Sequence, residues 1–201
     1  MKRYKTTSFI ALMLLLLGLL SSACASTYEY SGTVFDPPLA LTDFELQDMN
    51  EQPFHLSDVQ GDVVLLFFGY TFCPDVCPLT LADVKTALVD FDQRDRVKVI
   101  FVTVDPDRDT PEAMRDYLGH FDPEFIGLTD DYAKTQEVMK QFGAYAEKEK
   151  VSNSAAGYLV NHTARLYLIN PQQQLLLTYP FGFEAEGLQA DLAHLLANSG
   201  T

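Results

Sequence analysis

Six consecutive apolar residues, Val63-Val64-Leu65-Leu66-Phe67-Phe68, limit what this chain can fold into more than any other stretch. A run of that length and character reads as a buried strand. It ends at Gly69, passes through Tyr70-Thr71-Phe72-Cys73-Pro74-Asp75-Val76-Cys77, and enters a helical pattern over 78–91. A second apolar strand follows over 97–104. Strand, turn, helix and crossover strand are the beginning of an α/β layer fold. The turn carries two thiols at a helix N-terminus, where unpaired N–H groups and partial positive charge favour thiolate over thiol. The thiolate is both the nucleophile and the metal ligand. Sulfur chemistry is therefore expected: soft-metal binding, disulfide exchange, or both.

The rest of the pattern completes the same class. Residues 44–47 and 54–56, joined by a turn over 48–51, read as a small hairpin ahead of the main unit. The helix over 78–91 shows Leu79, Ala82, Leu88 and Phe91 as its apolar side. Thr110-Pro111-Glu112 is a cap signature with proline at the first helical position, opening a helix over 110–117. A short strand over 125–128 and a helix over 132–142, ended by Gly143, come next. Residues 147–157 are polar and loop-like. Strands over 165–169 and 175–179 flank the turn Asn170-Pro171-Gln172-Gln173, and an amphipathic helix over 186–197 closes the chain. These elements predict a thioredoxin-like α/β domain over 39–199, with a central mixed sheet flanked by helices and an N-terminal β-hairpin extension.

The first residues read differently. Lys2, Arg3 and Lys5 precede 12 apolar residues from Phe9 to Leu20, too few for a bilayer span of roughly 20. Ser21-Ser22-Ala23-Cys24 follows. This reads as an export signal over 1–23. The Ser-Ser-Ala-Cys run also resembles a bacterial lipobox, although the aliphatic residue stands one place early, at Leu20. Cys24 is then a candidate lipidation site; simple cleavage or an uncleaved anchor are the alternatives. Residues 24–38, with Pro37 and Pro38, read as a tether. The net charge is −14; losing the three cations before Cys24, where there is no acid, leaves −17. Such a surface argues against nucleic acid and against direct adhesion to anionic lipid. The cysteine count is 3. With Cys24 set aside, one pair remains, so disulfides do not serve as scaffolding here.

Three residues separate Cys73 from Cys77, where thioredoxins have two. Positions i and i+4 lie on one face of a helix, and Pro74 and Pro78 stiffen the turn. Two thiolates select Cu(I) or Zn²⁺ over hard cations. A structural zinc needs four ligands, usually from two such pairs, and only one pair exists. For Cu(II) a histidine is the usual third ligand. Of His55, His120, His162 and His194, His162 stands just before a predicted central strand. Context alone leaves it between a ligand and a hydrogen-bonded loop residue. The other three read as surface or packing residues.

The run Phe68-Gly69-Tyr70-Thr71-Phe72-Cys73-Pro74-Asp75-Val76-Cys77-Pro78 closely resembles the SCO/SenC family of copper chaperones for cytochrome c oxidase. Val104-Asp105-Pro106-Asp107-Arg108-Asp109-Thr110-Pro111 and Asn161-His162-Thr163 are similar to two further family stretches. The hairpin over 44–59 is similar to a third. Asn161 is a departure, because the family generally has Asp before this histidine. The resemblance implies that Cys73 and Cys77 hold Cu(I) and that His162 joins them for Cu(II). It also implies a role for Asp105 beside the metal ligands, against the alternative of a strand-end turn residue before Pro106.

The implied acceptor is the dinuclear copper site of cytochrome c oxidase subunit II; the copper donor is unknown. Copper would pass by stepwise ligand exchange, and the same dithiol could reduce the acceptor's cysteines. The alternative is an exported thiol–disulfide oxidoreductase with no metal role. The implied location is the periplasmic or outer face of a bacterial cytoplasmic membrane, through the anchor.

Overall fold

The computed structural model describes residues 28–150 and 157–198. In chain order the elements are β1 (Thr33–Ala40), β2 (Glu45–Asp48), β3 (Pro53–His55), β4 (Val63–Gly69), α1 (Val76–Leu88), β5 (Val97–Thr103), α2 (Pro111–Gly119), β6 (Ile126–Thr129), α3 (Tyr132–Gln141), β7 (Ala146–Lys150), β8 (Tyr158–His162), β9 (Arg165–Ile169), β10 (Gln174–Pro180) and α4 (Ala185–Asn198). Eight strands form one mixed sheet in the order β1-β10-β9-β4-β5-β6-β2-β3. Strands β4, β5 and β6 run parallel, while on the other side of β4 strand β9 runs antiparallel to it and β10 antiparallel to β9. This is the thioredoxin-like arrangement that the sequence predicts.

The central strand behaves as its composition requires. Every residue of β4 is buried, because helices cover both faces of the parallel region. Each large side chain in it contributes on the order of 1.5–3 kcal/mol by leaving water. Parallel β4 and β5 are in register from Val63 against Val97 to Gly69 against Thr103. Their C-terminal ends therefore lie level, and the turns that follow both open at one edge of the sheet. The hairpin β2–β3 is no appendage. It joins the sheet through β2 on β6, and Leu46 and Phe54 point into the core.

Three features depart from the sequence reading. The stretch 33–38, read as tether, is most of β1, an edge strand paired with β10. Pro37 and Pro38 are tolerated because the ladder is irregular between Val34 and Leu39 and the strand lies at the edge. Just before β1, Tyr28 Oη, the N–H and hydroxyl of Ser31, and the N–H of Gly32 all donate to the buried carboxylate of Asp191 in α4, as does Tyr179 Oη. The stretch 147–157, read as a loop, contributes to a separate two-stranded sheet of β7 and β8. Finally, α1 begins at Val76 and buries Cys77, Thr80, Leu81, Val84, Ala87 and Leu88. Leu79, predicted for its inner side, is 49% exposed. The inner face is set by Cys77 and the i+3/i+4 spacing from it; Leu88 lies on it and Phe91 packs against the core, as the sequence predicts, while Leu79 turns outward. Residues 1–27, including the signal and Cys24, lie outside the described residues.

Candidate metal centre

The cysteine turn is built by short-range geometry. Gly69 ends β4 against the core: a Cβ there would stand 2.7 Å from the Phe101 ring and 3.0 Å from Cys77 Sγ. Glycine at this position lets the Cys77 sulfur seat against the strand. Cys73 N–H donates to Tyr70 O, closing the turn. Asp75 caps α1 without using its side chain. The Cys73 sulfur takes that part, accepting the N–H of Cys77 at 3.4 Å and that of Asp75. A sulfur among the orphan donors of a helix N-terminus is stabilised as thiolate.

The two thiols are unequal. The structure leaves both free of a disulfide, with Cys73 partly exposed and Cys77 buried. The Cys77 thiol, and behind it His162 and the two N–H groups, donate to Cys73 Sγ and hold its pKa down to about 4 against the opposing effect of burial. Burial, and then the neighbouring Cys73 charge, push Cys77 far up. The two thiols are thus driven in opposite directions, with the outer one the more acidic.

His162 ends β8 and brings its ring to the turn from the opposite side. Nε2 lies 3.5 Å from Cys77 Sγ. The ring stands edge-on to Phe67 and Tyr70, at 5.9 and 5.8 Å between centroids. The donor atoms of Cys73, Cys77 and His162 all lie within 4.8 Å of one another, the one such three-residue group among the described residues. Sulfur and imidazole ligands bind a transition ion at about 2.0–2.3 Å, the range known for zinc, so two of them stand at most ~4.6 Å apart around it. The three donors therefore need only small adjustments to share an ion. Their softness favours Cu(I), with imidazole extending the set to Cu(II). The remaining histidines are elsewhere: His55 beside Asp43 and Glu45, His120 on Asp116 O, and His194 stacked on Tyr28 at 3.8 Å.

Asp105 does not join this cluster. It is fully buried and binds Arg108 Nε and the Tyr158 hydroxyl. Two neighbours that sequence reasoning passed over matter more to the turn. Asp109 accepts the N–H of Thr71 at 3.0 Å, the Thr71 hydroxyl at 2.6 Å and the Thr103 hydroxyl at 2.6 Å. It ties the cysteine turn to the end of β5. Burial pushes its carboxyl pKa up, against those three donors. Arg108 lies over the rings of Tyr158, Phe72 and Tyr70 at 3.7, 4.8 and 5.8 Å. Both residues stand in the 104–111 stretch that the resemblance singles out, but neither role shows in the sequence, because Thr71 is 38 residues from Asp109 and Tyr158 50 from Arg108.

The comparisons with known proteins agree with this geometry. The SCO1/SenC family model matches residues 36–197. The mitochondrial protein SCO2 of Saccharomyces cerevisiae is 35% identical over 135 residues, 66% of this chain; the chain spans only 45% of that protein's length. The structure of ScoI from Bradyrhizobium japonicum, which has copper bound, is 34% identical with a TM-score of 0.70, over 78% of this chain and 99% of that one. Apo Sco1 from Thermus thermophilus is 36% identical with a TM-score of 0.75, over 85% and 99%. The matched span takes in all but the ends of the described fold, with the cysteine turn and the histidine hairpin inside it, and this chain belongs to the SCO1/SenC family.

Proposed function

We propose that this chain binds copper through Cys73, Cys77 and His162 and assists assembly of the dinuclear copper site of cytochrome c oxidase subunit II. The observation that carries the reading is the convergence of two sulfurs and one imidazole within 4.8 Å, in a family whose structures include copper-bound members. Cu(I) is held by the two sulfurs, and His162 completes the set for Cu(II). Cys73, on the open side, is where an acceptor's thiolate enters. Cys77, buried against Gly69, is the last ligand to leave.

The inequality of the thiols supports a second activity of the same pair. The Cys73 thiolate attacks a sulfur of an acceptor disulfide, forming a mixed disulfide and releasing one acceptor thiolate. Cys77 then loses its proton and attacks Cys73 Sγ, releasing the second. Two electrons pass from this chain's dithiol to the acceptor, and Cys73–Cys77 becomes the disulfide. Copper loading and this reduction compete for the same sulfurs.

Export over 1–23 and lipidation at Cys24 complete the proposal, placing the domain at the periplasmic or outer face of a membrane. Among the described residues no helix is long and apolar enough to cross one. The test is metal titration of the reduced full chain. The proposal expects one Cu(I) per chain, lost in Cys73→Ser, and a Cu(II) spectrum altered in His162→Ala. Full Cu(I) uptake by Cys73→Ser would sink it. In the host, Cys73→Ser should lower the copper content of subunit II. Globomycin sensitivity of processing would test Cys24.

A further inference from the structure

The two halves of the centre come from distant parts of the chain, and one side chain lies between them. Phe72 directly precedes Cys73 and is 53% exposed. Tyr158 begins the strand that ends at His162. The Arg108 guanidinium is stacked on both rings, 3.7 Å from the Tyr158 centroid and 4.8 Å from that of Phe72. Its Nη1 also donates to Tyr158 O at 3.1 Å. Asp105 fixes the guanidinium from beneath through Nε, and the same carboxylate accepts the Tyr158 hydroxyl at 2.7 Å. Lys148, on β7, reaches Asp105 at 3.7 Å and Asp107 as well. The small sheet is thus fastened to the 105–108 turn by the far end of β8, at Tyr158, and by the middle of β7, at Lys148.

The near end is held more lightly. Thr163 N–H donates to Tyr145 O and Tyr145 N–H to the Thr163 hydroxyl. Asn161, where the family generally has Asp, spends its amide on Glu149 across the ladder at 2.8 Å. The β7–β8 sheet shares no ladder with the main sheet. Its distance from the cysteine turn therefore depends on side chains: Tyr70 meets the strand at Val160 and His162, and Arg108 reaches across from its own turn to stack on Tyr158 and Phe72 together.

We propose that Arg108 is a positioning residue that couples the His162 strand to the cysteine turn, and so decides whether the bound ion is held by two ligands or three. The proposal rests on the copper reading above. It assigns Asp105 a role through Arg108: the carboxylate orients the guanidinium and never needs to approach the ion. With the clamp intact, His162 stays against Cys77 and the site accepts Cu(II). With it loosened, the strand is free to drift while the two sulfurs, braced by Asp109 and Gly69, keep Cu(I). A guanidinium suits this place because it is planar, stacks on both rings and still hydrogen-bonds in its own plane; an ammonium cannot do all three.

The experiment uses the reduced full chain with copper alone as the probe. Arg108→Lys keeps a cation beside buried Asp105 and removes the planar stack. Tyr158→Phe keeps the ring and removes the hydroxyl from Asp105. Cu(I) affinity is read by competition with a chromogenic chelator, and Cu(II) by affinity and by the sulfur-to-copper absorption and electron paramagnetic resonance spectra. The expected result for Arg108→Lys is a loss of about 10-fold or more in Cu(II) affinity, of the order found when a residue orienting a metal ligand is removed. Its spectrum should move toward that of His162→Ala, and Cu(I) affinity should stay within about 2-fold. Tyr158→Phe should show a smaller shift in the same direction. An unchanged Cu(II) spectrum in both variants, or equal losses of Cu(I) and Cu(II), would overturn the proposal and leave Arg108 a packing residue. The underlying copper reading fails separately, by absence of stoichiometric Cu(I) in the unsubstituted chain.

Discussion

The cysteine turn and the histidine hairpin supply the same site by opposite means. The turn is local: Cys73 and Cys77 are four residues apart, on the end of the most deeply buried strand, with Asp109 holding Thr71 by three donors' worth of hydrogen bonding shared with Thr103. The hairpin is remote: His162 lies 85 residues beyond Cys77, on a two-stranded sheet outside the main one. A buried carboxylate and a core strand fix the first. Ring stacking and a partly exposed ladder fix the second. The difference suits the proposed site, in which two sulfurs hold Cu(I) and the imidazole joins them for Cu(II).

That contrast can be broken in several ways. Removing a sulfur should do the most. Cys77→Ser is expected to weaken Cu(I) by more than the ~100-fold typical of losing a mere supporting partner, and chelator competition measures it. Modification of the thiols comes next. An ordinary cysteine alkylates about tenfold more slowly for each pH unit below about 8.5. Cys73, held down to about 4 by the Cys77 thiol, His162 and two N–H groups, should keep its rate from pH 8 to 5. Cys77, pushed up by burial, should stay unlabelled, and peptide mapping separates the two. The sign for stability follows. Cys73 is a stronger acid folded than unfolded, so its contribution in the reduced chain is full above about 8.5 and is lost as pH falls through about 4. A chain equally labelled at both thiols at pH 6 would deny the asymmetry.

His162→Ala is expected to cost at least the roughly 10- to 100-fold in Cu(II) affinity that loss of a supporting partner costs, with little loss of Cu(I); equal losses would mean that the hairpin is as essential as the turn. The smallest effects compare one hydroxyl from each region. Thr71→Val removes a donor from buried Asp109 and should cost about 1–3 kcal/mol in urea unfolding. Thr163→Val removes an exposed contact to Tyr145 and should cost about 0.5–1.5 kcal/mol at most. A reversed order would place the rigidity in the hairpin instead.

The same contrast explains what could be read in advance. Val63–Phe68, the cysteine turn, the Thr110 cap and the two strands flanking Asn170–Gln173 carry their instructions locally, in apolar runs, proline and capping residues, and the structure keeps them within a residue or two. Strand β7 is hard to read because residues 146–150, Ala-Glu-Lys-Glu-Lys, bury almost nothing, and β8 because of its five residues only Val160 is buried. β1 was hidden by Pro37 and Pro38, which normally break a strand but are harmless at an irregular edge. His162 needed the family resemblance, since nothing near it in sequence reveals a sulfur 3.5 Å away. Asp109 and Arg108 were in view as letters, yet their meaning depends on Thr71 and Tyr158 arriving from other elements.

The carboxylate of Asp191 has a mechanical consequence. Four of the hydrogen bonds it accepts come from Tyr28, Ser31 and Gly32, and all of them converge on this one side chain of α4. Tension applied at the start of the chain must shear them together before any of it reaches the sheet's edge. A protein trimmed at residue 39 would lose these bonds along with nearly all of its outermost strand.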